Sequence, residues 1–282
     1  MSELAAAEPG AGAPERGSPR AGGPLAELLV RRRGLIALGS REVLRVLKLW
    51  TQTIAAPVVA SFLFILVFGL SLSGRIRHVD GVDYRVFIVP GLITMAMVQA
   101  AYANNSSSVF QARFDRYLND VLASPMRNWE INLGLSLGGV VRALLIGLTL
   151  LALALPITDV PVYQPLVLII SVTLGVTLFS SLGVVVGIYA KSWDHAGFVQ
   201  NILIVPLSFL GGVFYSVGTL PSPWREVSHA NPIFYLVQAV RYGFLGTSDV
   251  PVALALGITA VLTAAVVGWS AWLFADGRKL KP

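Results

Sequence analysis

The sequence has no cysteine among its 282 residues. That excludes disulfides, thiol nucleophiles and thiolate metal sites together. Charge is nearly as scarce. Only 13% of residues are Asp, Glu, Lys or Arg, against about 25% in an ordinary soluble domain. The four lysines, Lys48, Lys191, Lys279 and Lys281, stand in no glycine pattern that would make a phosphate-cradling Walker A loop. His78, His195 and His229 are isolated, so no pair has metal-ligand spacing, and there is no Gly-x-Ser-x-Gly elbow. The fifteen acidic residues fall in the termini, the loops and the ends of apolar runs. A proton-coupled carrier ordinarily titrates a carboxylate or histidine within the membrane, which disfavours that class. The chain is not expected to be an enzyme. If it takes part in active transport, the ATPase is another chain.

What remains is apolar: 55% of residues are hydrophobic and the mean hydropathy is +0.72. The expected fold is an all-α integral membrane protein. Six stretches reach the roughly 20 residues that a helix needs to cross a bilayer. They lie at about 51–73, 86–110, 131–155, 164–190, 196–217 and 250–275. A seventh, 231–246, is short, amphipathic and interrupted by Arg241, and reads as a re-entrant or extracytoplasmic helix between spans five and six. Residues 1–24 are rich in Ala, Gly and Pro without an apolar core, so they read as a disordered tail and not as a signal peptide.

With a cytoplasmic N-terminus, fifteen of the 21 Lys and Arg fall inside and five outside. This is the bias expected for both ends, including 276–282, in the cytoplasm. The net charge of +6 then meets anionic lipid and calls for no nucleic acid. Residues 25–50 read as an amphipathic helix in the membrane interface. Val43, Leu44, Val46, Leu47 and Trp50 would lie in the acyl chains and Arg41, Arg45 and Lys48 among headgroups. Gly34 and Gly39 are expected to break that helix in two.

Three polar features stand out from this background. Arg142 is the one charge deep in a span. It either snorkels to carbonyls or faces a translocation path. Asn104 and Asn105, followed by three serines, either join helices or wet a substrate path. "FDRYLNDVLASPMRNWE" at 114–130 gathers both signs of charge between spans two and three. It is either a solvated hairpin or a docking surface, and its mixed signs suit a protein better than anionic lipid. Tyr117, Leu118, Val121 and Leu122 give it an apolar stripe, and Pro125 ends its helix.

The stretch 203–246 resembles the signature of ABC-2 type transporter permeases. Pro206, Leu207, Phe209, Leu210, Gly212, Phe214 and Tyr215 match its P-L-x-F-L-x-G-x-F-Y turn. Leu220, Pro221, Asn231, Pro232, Tyr235 and Arg241 match the downstream L-P, N-P-x-x-Y and R. "YRVFIVPGL" at 84–92, "LASPMRNWEI" at 122–131 and "LKLWTQTIAAPVVASFLFILVFG" at 47–69 fit the same family in order, closest to the compact YadH-type bacterial permeases.

That resemblance implies a subunit of the bacterial inner membrane, paired with a second copy of itself among membrane lipids. Two cytoplasmic ABC ATPase subunits would hold the ATP and Mg, and this chain would bind no cofactor. The expected cargo is amphipathic or hydrophobic, a lipid-like molecule or a drug, and export is the usual direction. The coupling residues are then Phe114, Asp115, Arg116, Tyr117, Asp120, Pro125, Arg127 and Glu130, with Lys191 and Asp194. The path or gate residues are Arg142, Asn104, Asn105, Phe209, Phe214, Tyr215, Asn231, Pro232, Tyr235 and Arg241. A non-transporting scaffold or assembly factor, or a stand-alone secondary carrier, are the competing readings.

Overall fold

The structure is a computed structural model, and it describes residues 24–71 and 78–276. Helix α1 (Pro24–Lys48) leads through a wide, π-helical turn (Thr51–Ala55) into α2 (Ala56–Ser71). Two short strands, β1 (His78–Val79) and β2 (Val82–Asp83), form an antiparallel hairpin. Its turn residues Asp80 and Gly81 both have positive φ, as a tight two-residue hairpin requires. Helix α3 (Tyr84–Phe114), the short α4 (Leu118–Ala123), α5 (Asn128–Thr158) and α6 (Pro165–Tyr189) follow. Then come α7 (Trp193–Val199), a second π-helical turn (Gln200–Ile204) and α8 (Val205–Leu210). The chain closes with α9 (Trp224–His229), α10 (Pro232–Leu245) and α11 (Val252–Asp276).

Among the described residues, five helices are long and apolar enough to cross a membrane: Thr51–Gly69, Tyr84–Phe114, Asn128–Thr158, Pro165–Tyr189 and Val252–Asp276. The stretch expected to be the span at 196–217 is instead three consecutive helical pieces of 7, 5 and 6 residues, ending at Leu210. Pro206 explains the break in winding. It has no N–H to give Ile202 four residues back, so the turn before it widens. Gly211 and Gly212 then reverse the chain, with Gly212 at φ 77°, where a side chain would be strained.

Helix α3 is the centre of the molecule. It packs against α2, α5, α6 and α10, and 78% of its most apolar window is buried, against 17% in α2 and in α11. The two outer helices therefore leave most of their apolar surface uncovered by the rest of the chain. Asp83 caps α3 by accepting from the Arg85 N–H (2.9 Å).

The α3–α6 crossing is set by "GVVVG" at 183–187. A Cβ at Gly183 would stand 2.6 Å from the Tyr102 carbonyl oxygen, and one at Gly187 2.8 Å from that of Ser106. Small residues four apart let the two backbones meet. Gly183→Leu is expected to cost about 3 kcal/mol by overpacking and to lower the unfolding midpoint in detergent. Gly257→Leu, where an added Cβ meets nothing within 4 Å, is expected to leave that midpoint unchanged.

Two expectations for the N-terminal helix are corrected. Gly34 and Gly39 do not break α1, which runs unbroken to Lys48. They are points of close approach: a Cβ at Gly34 would stand 2.9 Å from Met126 Sδ and one at Gly39 2.7 Å from Leu137 Cδ1. Nor is Val46 part of a face given to lipid. Leu38, Glu42 and Val46, spaced by four, are buried, and α1 packs against α5. Leu44, Leu47 and Trp50 stay exposed on the other side. The expected tail at 1–24 lies, except for Pro24, outside the described residues. So do residues 277–282.

Candidate functional site

Arg142 is the fifteenth of the 31 residues of α5, midway along a membrane-length helix. Its Nε donates to the Thr53 carbonyl (2.8 Å). The sequence provides that acceptor. Pro57 has no N–H to return to Thr53 four residues back, so that carbonyl lacks its α-helical donor in the first wide turn. A charge at such depth costs from about 3 to above 10 kcal/mol. Among the described residues no carboxylate forms an ion pair with it; the two ion pairs are Arg31–Glu27 and Arg45–Glu42.

Arg142 lines a cavity of about 170 Å³ between α2, α3, α5 and the second wide turn. Ser61, Phe64, Met95, Gln99 and Gln200 share the lining. The Gln99 Nε2 is buried without a hydrogen-bond partner. The second wide turn therefore borders this space through Gln200, and the first is tied to it through the bond from Arg142 to Thr53.

An aromatic run leads away from the cavity. Phe64 stacks on Phe68 at 5.8 Å, Phe68 meets Phe214 at 4.9 Å, and Phe214 stacks on Phe209 at 5.4 Å. This joins α2 to the Gly211–Gly212 turn. The turn is fixed from below: Tyr84 Oη donates to the Phe214 carbonyl (3.2 Å) and the Arg241 guanidinium to that of Gly212 (2.5 Å). Arg241 is fully buried and lies over the Phe87 ring at 4.0 Å, a cation–π contact. Asn231 starts α10. Its Oδ1 accepts from the Ile233 N–H (2.9 Å), with Pro232 at the first helical position, and its Nδ2 donates to the Leu207 carbonyl (2.6 Å). Tyr235 Oη donates to the His229 carbonyl (2.7 Å). Tyr215 is half-buried, and burial raises its phenol above the ordinary range.

At the opposite end of the bundle, Phe114, Asp115, Arg116, Asp120, Pro125 and Arg127 are all exposed. Between α3 and α5 only Leu118–Ala123 is helical. Its apolar stripe turns inward: Leu118 is buried, and Tyr117, Val121 and Leu122 pack on the same cluster. The Arg127 N–H donates to Glu130 Oε2 (2.7 Å), starting α5. Phe110 bridges Phe114 (6.2 Å) and Trp193 (4.8 Å), so exposed Lys191 and Asp194 sit beside this segment. Arg41 of α1 lies over the Tyr117 ring at 3.8 Å. Burial raises the Tyr117 phenol, so that ring is neutral. Glu42, next to Arg41, accepts from Ser108 Oγ of α3 (2.6 Å) and from Arg45 (2.9 Å).

The ABC-2 type transporter family profile matches residues 33–245. The inner membrane transport permease YadH of Escherichia coli K12 is 37% identical over 247 residues, 87% of this chain and 96% of that protein. The chain belongs to the ABC-2 type transporter family. Nodulation protein J of Sinorhizobium fredii is 27% identical over 213 residues, 74% of this chain and 80% of its own. That of Rhizobium leguminosarum bv. viciae is 28% identical over 219 residues, 75% and 84%. The chain is thus a transport permease, a membrane subunit.

Within this permease the residues singled out from sequence fall into three places. Arg142 lines the cavity, and Phe209 and Phe214 end the aromatic run from its edge. Tyr215, Asn231, Pro232, Tyr235 and Arg241 build the Gly212 end. Asn104 and Asn105 lie inside the protein: Asn105 accepts from Asn104 Nδ2 (3.2 Å) and donates to the Ser180 (3.1 Å) and Ser136 (3.4 Å) carbonyls, joining α3, α5 and α6. Gln99, Gln200, Ser61 and Phe64 were not singled out. A lone Gln in each of two apolar runs, "MAMVQAAY" and "GFVQNILI", is the signal that marks two of them.

Proposed function

We propose that two copies of this permease, each with six spans and both termini in the cytoplasm of a bacterial inner membrane, line an export path for an amphipathic or hydrophobic molecule. Two separate ABC ATPase subunits bind ATP and Mg and drive it. The broken run Trp193–Leu210 acts as the fifth span, α1 lies along the cytoplasmic interface, and α9–α10 form the outer re-entrant unit.

The observation that carries this reading is the exposed mixed-charge surface at one end of the bundle, where 114–130 and Lys191–Asp194 lie side by side. A chain without a phosphate-binding loop needs a docking face for the subunit that has one. Arg41 on Tyr117 and Glu42 on Ser108 connect that face, through neighbouring residues of α1, to α3 at the core. Displacement of the docked segment would thereby reach the span bundle. Asn104 and Asn105 serve in this reading as the joint that holds α3, α5 and α6, not as path lining.

The test is reconstitution with ABC ATPase subunits of the same organism, tried as candidate partners. A stable complex is expected in mild detergent. In liposomes the permease is expected to change ATP turnover at least several-fold relative to the ATPase alone. A purified pair that never associates would leave the scaffold reading in its place.

A further inference from the structure

We infer that the cavity at Arg142 binds the anionic headgroup of an amphipath, whose apolar part lies along the Phe64–Phe68 face of α2. What this occupant is for rests on the permease reading above; the binding itself does not.

The lining is one-sided in its chemistry. Arg142 gives its Nε–H to the Thr53 carbonyl, and the cavity it lines has no Asp or Glu among its lining residues. Gln99 Nε2 is a buried donor without a partner, and Ser61 and Gln200 add a hydroxyl and an amide. A guanidinium at this depth needs a counter-charge, and planar, bidentate pairing with a carboxylate, sulfate or phosphate is what it does best. Glu42 does not supply it, being held by Ser108 and Arg45. A cationic headgroup would meet repulsion and no acceptor of opposite charge. At about 170 Å³ the cavity equals the liquid volume of five to six waters, at roughly 30 Å³ each, enough for one such headgroup.

The second half of the site is apolar. A groove of about 330 Å³, lined by Ala60, Leu63, Phe64, Val67 and Phe68, shares Ala60 and Phe64 with the cavity. A molecule whose head pairs with Arg142 therefore has its tail delivered onto this groove. From there the rings of Phe68, Phe214 and Phe209 continue to the Gly212 turn. Head site and tail track meet at one edge, which suits an amphipath and neither a free ion nor a plain hydrocarbon.

The probe is dodecyl phosphate, measured by native mass spectrometry on the purified full-length chain released from phosphatidylcholine nanodiscs. One dodecyl phosphate per chain is expected, with binding at least tenfold weaker in Arg142→Gln and partly kept in Arg142→Lys. Dodecyltrimethylammonium is expected to bind at least tenfold more weakly than dodecyl phosphate. Equal binding of the two amphipaths, or equal binding by wild type and Arg142→Gln, overturns the inference. Ala60→Trp fills the shared edge without touching a charge, and Ala60 is exposed. It is expected to weaken binding at least tenfold, and undiminished binding overturns the inference even if Arg142→Gln does not fold.

Millimolar inorganic phosphate is expected not to displace the probe; full displacement would refute the amphipath. Nanodiscs containing phosphatidylglycerol separate the sources. Competition assigns the site to an anionic bilayer lipid, and lack of it to a single-chain amphipath. A chain that binds dodecyl phosphate but never couples to an ATPase would sink the transport reading alone.

Discussion

Arg241→Met is expected to destabilise the permease by about 3 kcal/mol, and Arg241→Met with Asp249→Asn to recover at least half of that loss. Arg241 gives the Gly212 carbonyl its donor at the point where the chain turns with φ 77°. A buried acceptor that loses its partner costs about 1–3 kcal/mol. The rest of the loss is electrostatic. Asp249 is the carboxylate that acts most strongly on Arg241, ahead of Asp80, and it is held in place by Ser216 Oγ (2.6 Å), the Val217 N–H (2.9 Å) and Gln238 Nε2 (2.8 Å). Arg241 is buried and Asp249 half-buried, and removing one charge leaves the other less compensated, whereas removing both relieves that penalty. Denaturant unfolding in detergent on the single and double variants measures the coupling directly. Strictly additive losses would show that Arg241 acts through Gly212 and Phe87 alone.

Arg116→Glu with Arg127→Glu is expected to reduce ATPase association and ATP-driven flux at least tenfold while leaving the unfolding midpoint within about 0.5 kcal/mol of wild type. Both side chains are exposed, and among the described residues neither forms an ion pair. The reversal therefore acts on a partner and not on the fold. Charge at the rim of an interface governs encounter and register, so the loss should appear first in the association rate and be strongest at low salt. Flux that survives the double reversal would remove 114–130 from the docking face.

The features of this fold that are legible in the sequence differ in physical cause from those that are not. Apolar length is a local property, and so α3, α5, α6 and α11 are legible as runs. The cap at Asn231 is legible because Asn followed by Pro satisfies a helix start within three residues. Close approach is not local. Gly34 and Gly39 read as helix breakers until Met126 and Leu137 are seen to fill the space beside them.

The burial of Glu42 is hidden for the same reason. Its partners Arg45 and Ser108 are 3 and 66 residues away, and only the second carries it into the core. Arg142 is visible as a charge out of place, but its acceptor lies 89 residues upstream in a turn opened by Pro57. The segment 114–130 is marked in the sequence by its charges, while its tie to α1 through Arg41 and Tyr117 has no signature in spacing.

The wide turns at Thr51–Ala55 and Gln200–Ile204 carry a consequence for azimuth. Each accommodates one more residue than α-helical winding requires, and at 3.6 residues per turn one residue is about 100° of rotation. The compass bearing of Phe64 and Phe68 is thus decided upstream, at the hinge of α2, and not by the span that bears them. Shedding the extra residue would swing both rings by more than a quarter of the helix's circumference, away from Arg142, without melting a single turn. An insertion or deletion of one residue between Thr51 and Ala55 therefore re-aims a whole face of the helix, where the same change in a loop would only alter slack.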